Sequence, residues 1–167
     1  MAHSFIIQVG RTAIKKEDYF TIHDMPDDHV LLSHADWGGD EADFGEHAGD
    51  ISSQLKPVAS ISRARRTLTF KNERTLAKLY IRGLSDVLRR VSDSLSGKKH
   101  EDYPLRSHSE IVGAIDRVAE TSWCLFYYGD SDSDIARCHT LSEFILDRLN
   151  GRLPKQLFIG GLLWFHF

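Results

Sequence analysis

Between Asn72 and Gly97, apolar side chains return at three- and four-residue steps: Leu76, Leu79, Tyr80, Leu84, Val87, Leu88, Val91 and Leu95. That spacing puts all eight on one stripe of a 3.6-residue helix. Asn72 is placed to cap the first turn, and Gly97 to close the end at positive φ. About 24 helical residues at about 1.5 Å each span about 36 Å. A stripe of that length calls for a sheet or several other elements to cover it.

Shorter patterns flank this helix. Ser4–Val9 is apolar and β-branched with Gly10 behind it, which predicts a buried first strand. Lys15–Asp28 mixes charge with Tyr19, Phe20, Ile22 and Met25 and reads as loop or a short helical turn; residues 29–33 read as a second short strand. Ala35–Ser53 has four Gly among many acids and little periodicity, which predicts a long acidic loop with at most one helical turn. Val58–Ser62 and Thr67–Lys71 form a hairpin pattern around a basic tip, Arg63-Ala-Arg-Arg66.

After the long helix, Lys98–Arg106 is a polar linker containing Pro104. Ser107-His-Ser-Glu110 and Thr140-Leu-Ser-Glu143 both fit capping boxes, so each should start a helix. The first would bury Ile111, Ala114, Ile115 and Val118. The second would bury Leu141, Phe144, Ile145 and Leu149, with Gly151 as its C′ residue. Trp123–Tyr128 is a continuous apolar run, expected as a central strand, and Asp130–Asp134 as a turn. Lys155–Phe167 is strand material with a hairpin expected at Gly160-Gly161 and its last strand tucked into the sheet.

Strict βαβ alternation is missing, so the expected class is α+β. Residues 1–167 form a single domain, with a mostly antiparallel or mixed sheet packed against one long helix (about 73–96) and two shorter helices, and an acidic loop region at about 35–53. Apolar and charged fractions of 41% and 27% are those of an ordinary globular chain rather than a disordered one. No signal-peptide pattern is present, and the most apolar stretch, Leu157–Phe167, is too short to span a bilayer. The resulting expectation is a soluble, cytoplasmic protein without a membrane partner.

Charge is distributed unevenly. Glu17–Asp50 holds 11 acidic residues and no Lys or Arg, whereas Lys56–Arg90 holds 10 basic residues and two acidic ones. The two segments either neutralise each other in the fold or face separate partners.

Three groups of residues offer chemistry. Arg63, Arg65, Arg66 and Lys71, followed by Arg74, Lys78 and Arg82 at four-residue steps, could track a phosphate backbone. The plainer alternative is a solvated helix face, or one paired with the acidic segment. The acidic loop offers two readings besides a plain surface loop. Trp37 and Phe44 among Asp40, Glu41, Asp43 and Glu46 suit an interface with aromatic anchors. His34, Asp36, His47 and Asp50 combine imidazole with carboxylate as a divalent-metal site would, without matching a defined ligand motif. Asp130, Asp132 and Asp134 begin like a calcium loop, but Ile135 and Leu141 stand where glycine and glutamate are needed.

Nucleophilic chemistry has little support. Cys124 lies in an apolar run, and Cys138 beside His139 is no dyad by adjacency alone. No P-loop, Gly-x-Ser-x-Gly or Gly-x-Gly-x-x-Gly is present. The expected function is therefore a non-enzymatic protein acting through another protein, contacted by Trp37–Asp50, with a second copy of this chain among the candidate partners. Nucleic-acid binding through Arg63–Arg82 is one alternative. A metal-dependent hydrolase using the His/Asp residues is the other. No cofactor is expected, a divalent cation being the one alternative.

Overall fold

The computed structural model describes residues 3–21, 23, 37–96, 108–116, 118, 124–128 and 137–166. Among them lie seven strands and four α-helices in the order β1 (His3–Gly10), β2 (Trp37–Glu41), α1 (Phe44–Leu55), β3 (Ala59–Ser62), β4 (Thr67–Phe70), α2 (Glu73–Leu95), α3 (His108–Asp116), β5 (Leu125–Tyr128), β6 (Arg137–His139), α4 (Leu141–Leu149) and β7 (Gln156–His166). A 3-10 turn, Lys16–Asp18, precedes β2. The class is α+β, as the sequence implied.

All seven strands join one mixed sheet, ordered β3-β4-β7-β1-β5-β6, with β2 also paired to β7. Only β1 and β5 run parallel. The spine is β7. Along one edge it meets β1, from His3 opposite His166 to Gly10 opposite Phe158. Along the other edge it meets β4 over Gln156–Phe158 and β2 over Leu163–His166, leaving a gap between them.

The expected hairpin at Gly160-Gly161 is absent, and β7 runs straight through it. Ile7 faces Leu162 and Val9 faces Ile159, so three steps on β7 match two on β1. The extra residue is a β-bulge opposite Gln8. The bulge switches which side chains point to which face, so that Leu157, Ile159 and Leu162 all enter the same core. A Cβ on Gly160 would stand 2.3 Å from the Gln8 Oε1 atom, and one on Gly161 2.9 Å from the Phe20 carbonyl oxygen, so both positions require glycine. The Gln8 carboxamide then ties the segment that follows β1 to the sheet. Its oxygen accepts from the Phe20 and Gly161 N–H groups at 3.1 and 2.7 Å, and its nitrogen donates to the Asp18 carbonyl.

The core lies on one face of the sheet. Phe5, Ile7, Val9, Leu68, Phe70, Phe126, Leu157, Ile159 and Leu162 from the strands meet Phe44, Ala48, Ile51 and Leu55 of α1, Leu76 of α2, and Leu141, Phe144 and Ile145 of α4. Phe144 stacks on Phe126 at 4.5 Å. The cap of α4 is as expected: Thr140 and Glu143 form the full capping box, and Gly151 takes φ +73° just past the helix end.

The acidic region around 35–53 departs from the expected loop. Residues 37–41 are a strand and 44–55 a 12-residue helix, capped by the Asp43 carboxylate, which accepts from the Glu46 N–H. The apolar spacing Phe44, Ala48, Ile51, Leu55 is helical, and burial of that stripe stabilises the helix despite its glycines and charges.

The helix α2 starts at the Asn72 cap as expected, with the side chain accepting from the Thr75 N–H at 2.9 Å. The hairpin β3–β4 and the strand at Leu125–Tyr128 are likewise in place. The helix expected after Ser107 runs His108–Asp116. Ser107 itself, the strand at 29–33, Gly97, the linker 98–106, residues 22 and 24–28, and the turn 130–134 lie outside the described residues.

Candidate functional site: an apolar seam on the long helix

The 23 residues of α2 span about 34 Å, longer than the rest of the fold covers. Only Leu76 and Val87 are buried on it; Leu79, Tyr80, Leu84 and Val91 are half-buried. At its amino end α2 is held against α4, where Arg148 meets Glu73 at 3.0 Å. Further along, α3 approaches at Gly83, where a Cβ would stand 1.6 Å from the Val118 carbonyl oxygen. Beside that approach lies an open groove of about 530 Å³, lined by Gly83, Asp86, Val87, Arg90, Gly113 and Ala114 with Val118.

In the carboxyl half of α2 the stripe is covered at Val87 and partly at Val91, but not at Leu88 and Leu95. Ile81, Leu88 and Leu95 are 62%, 57% and 84% exposed. They are seven residues apart, and the half-buried Leu84 and Val91 fall between them, giving steps of three, four, three and four. This is the 3.5-residue spacing by which one helix seats against another. On α3, Val112 and Ile115 are also exposed. Isolated surface leucines are ordinary, whereas a continuous apolar line on one helix is what contact surfaces present. Reading the stripe at 3.6 residues per turn passes over Ile81; counting in sevens from Leu95 finds it.

The interface residues read from the acidic segment lie in β2 and at the start of α1. Phe44 is 2% exposed and belongs to the core, so it is no surface anchor. Asp43 is the α1 cap, and Glu46 is exposed in the first turn. Trp37, Asp40 and Glu41 lie in β2, opposite His166, Trp164 and Leu163 of β7. Of the metal set, His47 and Asp50 are one turn apart on α1 with Nδ1 to Oδ2 at 4.0 Å, and the His47 ring lies against Phe5. His34, Asp36, Asp130, Asp132 and Asp134 are outside the described residues. Among the described residues no three His, Cys, Asp or Glu side chains come together. Cys124 is buried, with its Sγ 3.3 Å from the Gln54 Oε1.

The basic series splits in two. Arg63 and Arg65 are exposed at the hairpin tip, while Lys71, Arg74, Lys78 and Arg82 are exposed at the far end of β4 and along α2. Arg66 belongs to neither group. At φ +47° its backbone takes the left-handed region and turns its side chain into the gap between β4 and β2. There the guanidinium donates to the Ile159 and Gly160 carbonyls, and its carbon lies 5.0 Å from the Tyr19 ring centre and 4.8 Å from that of Phe44. The Arg66 carbonyl accepts from the Ile159 N–H at 2.7 Å. A pocket of about 430 Å³ opens beside it, bordered by Lys16, Tyr19, Asp43 and Leu162. Arg66 thus closes the sheet's open edge, a role invisible in a run of arginines.

Compared with known proteins, the chain matches no family model, no curated protein and no solved structure. Among the described residues, no helix is long and apolar enough to cross a membrane.

Proposed function

We propose that this protein acts by binding another protein, and that the contact surface is the seam Ile81, Leu84, Leu88, Val91 and Leu95 of α2 rather than the acidic segment. The supporting observation is the seam itself: an apolar line at helix-pairing spacing with three of its five members more than half exposed. Core leucines are covered by the sheet and α4, whereas Ile81, Leu88 and Leu95 are exposed. The acidic segment gives less support, because its aromatic at 44 is committed to the core.

A photo-crosslinking amino acid at position 88 or 95, compared with one at position 46, tests this in cells. Discrete protein adducts from 88 and 95 are expected. Adducts from 46 alone would return the contact to the acidic segment.

A second reading, nucleic-acid binding, has one observation behind it: Arg74, Lys78, Arg82 and Arg89 are all exposed on α2. Retention on immobilised DNA that falls steeply with salt, and falls further when Lys78 and Arg82 become Gln, would favour it. No retention at low salt would end it.

A further inference from the structure

Resting on the reading that the seam is a contact surface, we infer that its occupant is the same seam of a second copy, laid antiparallel. Three observations lead there. First, steps of three and four fit a partner with the same 3.5-residue spacing, and a second copy supplies one with no further assumption.

Second, the charges choose the direction. Arg74 lies on the seam's own line, seven residues before Ile81. A parallel pair would set Arg74 against Arg74 of the second copy, whereas an antiparallel pair moves both beyond the shared stretch. Centred near Asp86, the antiparallel pair layers Ile81 on Val91 of the second copy and Leu84 on Leu88 of the second copy. The flanking positions on one side are then Ser85 and Ser92, small and uncharged, so no like charges meet there. The bodies of the two domains, attached at the amino halves of α2, fall at opposite ends.

Third, the area suits a modest dimer. The three exposed side chains offer on the order of 400 Å² per copy, which with their neighbours brings the two-sided total near the roughly 1,000 Å² at which specific interfaces begin. An area at this low end belongs to weak, reversible contacts.

Sedimentation of the purified full chain from about 1 to about 300 µM, the range of weak reversible contacts, is the test. The average mass is expected to climb from the 19.0 kDa of one chain towards twice that value. Leu88→Glu, at a side chain 57% exposed, should fold normally and weaken self-association at least tenfold, because position 88 meets Leu84 of the second copy. Ile81→Glu, at a side chain 62% exposed and opposite Val91 of the second copy, should do the same. Nitroxides at position 74 then read direction: about 36 Å between the two backbones when antiparallel, since 24 residues of helix separate them, against well under 20 Å when parallel. A mass that stays at one chain throughout overturns the inference, as does a short spin–spin distance. If position 88 crosslinks to a different protein while the purified chain remains single, the binding reading stands and this inference alone falls.

Discussion

Arg66 offers the sharpest test of the fold. Arg66→Ala removes two hydrogen bonds from a charged donor to the Ile159 and Gly160 carbonyls and two ring contacts, with Tyr19 and Phe44. Hydrogen bonds to charged groups contribute about 1.5–3 kcal/mol each, and cation–ring contacts about 0.5–1 kcal/mol. The side chain is half-buried, so water recovers part of this, and a net loss of about 3 kcal/mol is expected. For a chain of this size that lowers Tm by about 6–12 °C. The backbone adds a second, independent expectation. At φ +47° a residue with a Cβ carries about 1 kcal/mol of strain that glycine does not. Arg66→Gly loses the same contacts but sheds the strain, so it should be more stable than Arg66→Ala by about 1 kcal/mol. Urea unfolding of the two variants beside the parent measures both. An Arg66→Ala variant within about 0.5 kcal/mol of the parent would show that the side chain holds nothing together. A glycine variant less stable than the alanine one would refute the backbone argument.

Other expectations follow from the same contacts. Gly83→Ala would ordinarily raise helix stability, but its Cβ would meet the Val118 carbonyl at 1.6 Å, so a loss of about 1–3 kcal/mol in urea unfolding is expected, and a raised Tm would contradict the close approach. Thr140→Ala breaks the capping box of α4 and should cost about 1 kcal/mol, read as a Tm lower by about 2–4 °C. Deleting residues 162–167 removes buried Leu162 and Leu163 and all of β7 that pairs with β2. Cooperative thermal unfolding should be lost, and an unchanged Tm would show that the spine is not where it is drawn.

What was legible in the sequence was local. Asn72 and Thr140 announced their helices because a cap bonds within three residues. The β3–β4 hairpin could be read because both strands are adjacent in the chain. The helix α1 was hidden for a different reason. Its apolar stripe, Phe44, Ala48, Ile51 and Leu55, is present in the sequence, but two glycines and a dense run of acids weaken propensity, and burial overrode it. Gly160-Gly161 is compatible with a turn or a bulge, and only the partner Gln8, more than 150 residues away, decides between them. Arg66 is similar: its work depends on carbonyls 93 and 94 residues distant. For the seam, the periodicity was visible and its exposure was not, because exposure depends on how far the sheet, α3 and α4 reach along α2.

The central place of β7 has a consequence for synthesis. Because β1, β2 and β4 all bond to one late strand, a nascent chain can form its helices, the β3–β4 hairpin and the β1–β5–β6 pairing, but cannot join these parts into one sheet until β7 is free. Pairings that join the two ends of a sequence close slowly, since a long loop must be ordered before any contact rewards it. During that interval the apolar edges of β1 and β4 stand open, and translation rate and holding chaperones, more than the stability of the finished fold, would govern how much of the protein arrives intact.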